Sequence, residues 1–184
     1  MSFIIEYIKH PRKIGAVAPS GKRLSLKMMQ PIDFSAARVI VEYGPGTGSF
    51  TKELIARMKP ETELIMIEQN AHFFEQLKNE FGDIKNVHIV HGSAEDVCIY
   101  LKQYGYTKAD YVVSGLPFTS LPKVESDRIL TATKTAIGNV GVFITFQYSL
   151  VKRRFFEQYF IITDYLRENK NLPPAYVLVM QNKN

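Results

Sequence analysis

The chain has no tryptophan, one cysteine and four histidines in 184 residues. A single thiol, Cys98, cannot close an internal disulfide, so the fold must rest on its core, as suits a reducing cytoplasm. No neighbouring pattern makes Cys98 a nucleophile, and it reads as a core residue. His10, His72, His88 and His91 share no metal-ligand spacing with it, which argues against a metal centre. No apolar run approaches the roughly 18 residues that span a bilayer. No apolar stretch near the N-terminus leads to a small-residue cleavage site. Repeats, low-complexity tracts and a second full domain are also missing. What is present is 46% apolar residues, over a length that suits one globular unit with a full core.

The net charge of +5 is unevenly placed. Residues 1–30 hold Lys9, Arg12, Lys13, Lys22, Arg23 and Lys27 against Glu6, whereas residues 31–184 hold 17 basic and 17 acidic groups. A basic arm, 1–30, therefore leads a neutral domain, 31–184, and such an arm suits an anionic partner. Phe3 with Tyr7, and Ile4 with Ile8, are i,i+4 pairs on one face of a short helix, which Pro11 ends. A second helix is expected from Ser20, a good N-cap, towards Gln30, with Leu24 and Met28 on one face. Both pieces have the profile of helices lying in a membrane interface, and both could equally pack on the domain as a lid.

The segment Val39–Thr51, VIVEYGPGTGSFT, reads as a buried strand, a glycine turn and the start of a helix. Glycines at 44, 46 and 48 let backbone come close to a nucleotide-like ligand, since glycine has no Cβ and can adopt positive φ. The spacing is G-x-G-x-G, not the G-x-G-x-x-G of dinucleotide sites, which present a helix to a pyrophosphate. Glu42, just before the turn, suits a ligand with positive charge. S-adenosylmethionine fits, with its ammonium and sulfonium and no phosphate. The next strand, Glu63–Glu68, ends in a carboxylate 20 positions after Gly48, placed to accept both hydroxyls of a ribose.

Strands are expected near 38–43, 63–68, 87–91, 109–114, 140–147, 159–164 and 175–181. Helices are expected near 49–58, 71–81, 95–104, 123–137 and 151–157. The alternation argues for an α/β fold, a doubly wound parallel sheet with helices on both faces. The last two strands are joined through Asn171-Leu172-Pro173-Pro174, too short for a crossover helix, so an antiparallel closing hairpin is expected.

With these residues in place, the chain resembles the class I S-adenosylmethionine-dependent methyltransferases, whose sheet also ends in one antiparallel hairpin. Glu42-Tyr43-Gly44-Pro45-Gly46-Thr47-Gly48 is similar to their first motif and Glu68, followed by Gln69, to their second. His91-Gly92-Ser93-Ala94-Glu95-Asp96 stands where the third would lie. The resemblance implies a Rossmann-like seven-stranded sheet and a cofactor site of Glu42, Gly44, Gly46, Gly48, Glu68, Gln69, Ser93, Ala94, Glu95 and Ser114. The product would be S-adenosylhomocysteine. Which of Ser93, Glu95 and Asp96 reads the adenine stays open, with the Ala94 amide as a second contact.

Substrate contacts in open α/β sheets lie beyond the strand ends, here at Ser114-Gly115-Leu116-Pro117-Phe118. This run looks like the Asn-Pro-Pro-Tyr or Asn-Leu-Pro-Tyr motif of enzymes that methylate nucleobase amines, with Ser114 in the Asn place and Phe118 as the aromatic. A closer resemblance, over nearly the whole chain, is to bacterial phospholipid N-methyltransferases, which methylate phosphatidylethanolamine. It is carried by residues 3–20, by Ser114-Gly115-Leu116-Pro117-Phe118-Thr119-Ser120-Leu121-Pro122, by Phe146-Gln147-Tyr148 and by Asn171-Leu172-Pro173-Pro174-Ala175. Phe146-Gln147-Tyr148 departs from the more usual Phe-Thr-Tyr followed by Gly. The resemblance implies a membrane-contacting N-terminal helix, a phospholipid substrate on an anionic surface, and a place in the cytoplasm at the inner face of the membrane. Ser114, the Gly115 carbonyl and Tyr148 would handle the amine. Two other enzymes remain as alternatives, a ribosomal RNA adenine N6-methyltransferase, which is more distantly similar, and a methyltransferase for a small soluble amine. A non-enzymatic module is the third. Nothing in the sequence reads as a helical RNA-binding domain.

Overall fold

The computed structural model describes residues 19–170 and 174–183. The first part of the basic arm, residues 1–18, and Asn171-Leu172-Pro173 of the closing turn lie outside the described residues. Helix α1 (Pro19–Met29) starts on a proline, which at a first helical position forfeits no intrahelical donor. Ser20 is thus the second helical residue rather than the cap. There follow β1 (Val39–Tyr43), α2 (Ser49–Ile55), β2 (Glu63–Glu68), α3 (Ala71–Phe81), β3 (Val87–His91), α4 (Val97–Gln103) and β4 (Tyr111–Ser114). Then come α5 (Lys123–Ile137), β5 (Val142–Gln147), α6 (Arg153–Phe156), β6 (Phe160–Glu168) and β7 (Ala175–Asn182). Short 3₁₀ turns at Ala94–Asp96 and Leu150–Lys152 lead into α4 and α6.

The strands form one seven-stranded sheet in the order β3-β2-β1-β4-β5-β7-β6. Neighbours from β3 to β5 are parallel, and β7 lies between β5 and β6 antiparallel to both. Every residue of β1 is buried, the mark of a strand covered on both faces. Its side chains alternate between two cores. Val39, Val41 and Tyr43 pack under α4, α5 and α6 with Val97, Leu101, Leu130 and Phe156. Ile40 packs on the other face with Leu54, Leu77, Leu24 and Met28 from α2, α3 and α1.

Helix α1 therefore packs on the sheet. Leu24 and Met28 share a buried face, while Lys22 and Arg23 are exposed. Burying two such side chains contributes roughly 1.5–3 kcal/mol each. Among the described residues no helix is long and apolar enough to cross a membrane.

Element ends depart from the sequence pattern where side chains intervene. β4 begins at Tyr111; ahead of it Ala109 donates its N–H to the Ala136 carbonyl of α5, and Asp110 Oδ2 accepts the N–H groups of Arg38 and Val39, at 2.8 and 2.9 Å, tying it to the start of β1. β6 runs on to Glu168 because it pairs along β7 as far as Ala175, with a bulge between Ile162 and Asp164. The sheet winds outward from β1 through β2 and β3 on one side and through β4 and β5 on the other. The crevice where an α/β sheet takes its ligand thus opens at the C-terminal ends of β1 and β4.

Candidate cofactor and substrate site

β1 delivers Glu42 to this crevice, and the chain then turns through Gly44, Gly46 and Gly48 at φ values of 59°, 57° and 76°. Side chains other than glycine rarely adopt that region. At Gly44 space forbids one as well, since a Cβ would stand 2.7 Å from Leu116 Cδ2. At Gly46, the crest of the turn, a Cβ would meet nothing within 4 Å, so the backbone there offers a ligand an open cradle.

Glu42 is fully buried. Its Oε2 accepts the hydroxyl of Thr51 at 2.7 Å, while Oε1 has no hydrogen-bond partner among the described residues. Burial pushes its carboxyl up to about 8; the Thr51 bond opposes this and the nearby Glu68 carboxylate adds to it. A carboxylate held out of water with one oxygen unsatisfied is matched to a cation that enters with the ligand.

Glu68, at the tip of β2, braces two turns. Its Oε2 accepts the Gly46 N–H at 3.0 Å and its Oε1 accepts the Asn70 N–H at 2.8 Å. Each oxygen can accept a further hydrogen bond. Asn70 in turn caps α3, accepting the N–H groups of His72 and Phe73. Gln69 is exposed, and its carbonyl lies 3.1 Å from His91 Nε2, whose ring stacks on Phe74. This ties the tips of β2 and β3. Ser93 Oγ accepts the Glu95 N–H at 3.3 Å, and Ala94 is buried. Glu95 Oε2 forms an ion pair with Arg128 Nε of α5 at 2.6 Å. Ser93 and Glu95 are thus both engaged within the protein.

The substrate turn is built onto the glycine turn. Gly115 donates its N–H to the Tyr43 carbonyl at 2.8 Å, and a Cβ on Gly115 would lie 2.7 Å from the Gly44 oxygen. Ser114 is buried, and its Oγ accepts the Leu116 N–H at 3.2 Å. Phe118 is fully buried, edge-on to Phe143 and Phe156. It is a core side chain and does not stand where a base could stack on it. Tyr148, half-buried past the end of β5, packs edge-on to Phe146, which meets Phe50 of α2 in the same way.

The structure thus brings Glu42, Gly44, Gly46, Gly48, Glu68, Ser114 and Gly115 to one crevice. Gln69, Ser93, Ala94 and Glu95 lie beside it at the tips of β2 and β3, and Tyr148 lies beyond β5. Sequence reading missed Thr51, Asn70 and Arg128, which hold the acids in place. Asn70 was recoverable as a cap ahead of an amphipathic helix; the other two pairings join separate elements and left no local signal.

No family model matches the chain. A TehB-like S-adenosylmethionine-dependent methyltransferase from Corynebacterium glutamicum matches at a TM-score of 0.63, with 13% identity, over 98% of this chain and 96% of that one. Precorrin-6y C5,15-methyltransferase from Geobacter metallireducens matches at 0.63, with 16% identity, over 88% of this chain and 87% of that one. These likenesses show the fold, which is that of the class I S-adenosylmethionine-dependent methyltransferases. The ornithine lipid N-methyltransferase of Singulisphaera acidiphila is 35% identical over 175 residues, 94% of this chain and 91% of that protein. This chain belongs to the same methyltransferase family as that enzyme, and S-adenosylmethionine is its methyl donor.

Proposed function

We propose that the enzyme methylates the primary amine of a membrane-lipid head group, that of phosphatidylethanolamine or of an ornithine lipid. The observation that carries this reading is the 35% identity, over 94% of the chain, to an ornithine lipid N-methyltransferase. The burial of Phe118 supports it, because the substrate turn offers a small amine backbone oxygens rather than a stacking ring. The basic arm supports it too: Lys22 and Arg23 are exposed on α1, and each cation near an anionic lipid surface adds about 1 kcal/mol of attraction. The enzyme then works as a peripheral protein at the cytoplasmic face of the membrane.

In this reading Glu42 takes the cofactor's ammonium, the Gly44–Gly48 backbone carries its length, Glu68 takes the ribose hydroxyls, and Gln69 with Ser93–Glu95 borders the adenine. S-adenosylmethionine, when bound, supplies a sulfonium methyl to an uncharged amine. Ser114 holds the substrate turn through its bond to the Leu116 amide, and the Gly115 carbonyl accepts an N–H of the amine. Holding the amine at attack distance supplies much of the rate. Tyr148 borders the head group on the outer side.

The test is transfer of labelled methyl from S-adenosylmethionine to phosphatidylglycerol vesicles holding either phosphatidylethanolamine or ornithine lipid. Parallel reactions hold ribosomal RNA and a soluble ethanolamine compound. Label in lipid, reduced by removal of residues 1–13, is the expected result, and the favoured vesicle identifies the head group. Label confined to RNA or to the soluble amine overturns the proposal.

A further inference from the structure

Gln147 is the last residue of β5 and only 4% exposed. Its Nε2 donates to the Phe146 carbonyl at 2.7 Å. That carbonyl can only accept, so the amide is oriented with its nitrogen there and Oε1 turned away. Oε1 is buried and receives no hydrogen bond among the described residues. A buried amide oxygen without a donor is destabilising, and native proteins keep few of them without a reason.

Its place in the fold supplies a reason. Thr145 stands opposite Ser114 in the β4–β5 register, and its hydroxyl donates to the Ser114 carbonyl. Gln147 is two residues further along the same face, about 7 Å on. It therefore lies past the end of β4, level with the Gly115-Leu116 turn. Alternation puts Phe143, Thr145 and Gln147 on the face that buries Phe118. Glu42 lies on the opposite face, where it meets Thr51 of α2. Glu42 Oε1 and Gln147 Oε1, both without a hydrogen-bond partner among the described residues, thus lie on opposite faces of the sheet.

We propose that the Gln147 carbonyl accepts an N–H of the substrate amine and so sets a preference for head groups that carry few methyl groups. The inference rests on the amine-lipid reading above. The uncharged primary amine presents two N–H donors, and each methyl transfer with loss of a proton removes one, so the uncharged dimethylated amine has none. A fixed acceptor therefore holds the unmethylated head group best and the trimethylated one not at all. Gln147 favours the first transfer and lets the finished product go.

The test uses the full chain and whichever of the two lipids the wild type methylates, in phosphatidylglycerol vesicles, beside the N,N-dimethylated form of that lipid. Gln147→Leu removes the acceptor; Gln147→Met, unbranched and of similar length, is the second variant should the first fold poorly. The expected result is a KM about tenfold higher for the primary amine and a clearly smaller rise for the dimethyl lipid. Affinity for S-adenosylhomocysteine stays within about twofold and Tm is unchanged or higher, because an unsatisfied group has been removed. Unchanged KM for both lipids, an equal rise for both, or a lower Tm with unchanged KM overturns the inference and marks Gln147 as structural, its oxygen satisfied by ordered water. Wild-type turnover is read first: methylation of neither lipid overturns the amine-lipid reading and this inference with it.

Discussion

Glu42 answers to both stability and binding. Buried and raised to about 8, it is largely protonated at neutral pH without a cation beside it. On the proposed role of Glu42, capture of the cofactor's ammonium favours the ionised form, and cofactor binding below pH 8 should release a proton. Calorimetry of S-adenosylhomocysteine binding in buffers of different ionisation heat should detect that proton in the wild type and not in Glu42→Gln, which should bind at least tenfold more weakly. The sign for stability follows from linkage. Between the unfolded carboxyl value of 4.5 and about 8, the native state holds the proton that the unfolded chain has lost. Stability from this group is therefore complete below pH 4.5 and declines as pH rises to 8. The Tm difference between Glu42→Gln and wild type should move in favour of the variant from pH 5 to pH 8; a constant difference would remove the buried acid from the account. Gly115 is the second residue with a sharp expectation. A methyl group 2.7 Å from the Gly44 oxygen must push the two turns apart, so Gly115→Ala should lose about 1–3 kcal/mol in urea denaturation and weaken cofactor binding too.

Among the elements, β2, β3, α3 and α5 begin and end where their sequence patterns place them. Each is punctuated by local chemistry, such as the Asn70 cap of α3 and Gly138, which closes α5 at a φ of 57°. Elements whose ends depend on distant partners were less legible. β4 starts two residues late, where Ala109 bonds to Ala136 of α5 and the Asp110 carboxylate to the amides of Arg38 and Val39, more than 70 residues earlier in the chain. Asp110→Ala should therefore lower stability by about 1–3 kcal/mol while leaving KM for S-adenosylmethionine unchanged, because the tie lies at the strand ends away from the crevice. A kinetic defect in that variant would show that the two ends of the sheet are coupled. α6 is a single turn led by a 3₁₀ segment, too short for any hydrophobic period to register.

At the scale of the molecule, the basic half of the arm that is described packs on the sheet beside α2, with its cations outward. Binding to anionic vesicles should accordingly be reversible and fall steeply between low and physiological salt. Lys22→Glu with Arg23→Glu should reduce it further without changing S-adenosylhomocysteine affinity, as cosedimentation and calorimetry would report. By itself, the sequence determined the alternation of strands and helices, the glycine turn and the two acids that bracket it. Apolar period, turn residues and strand-end carboxylates are local properties, written within a few residues of each other. Only the tertiary structure decided that Phe118 belongs to the core, that Thr51 and Arg128 take one oxygen each of Glu42 and Glu95, and that Gln147 keeps an oxygen unpaired. Burial and hydrogen-bond satisfaction are sums over neighbours from distant parts of the chain, and no window of sequence contains them.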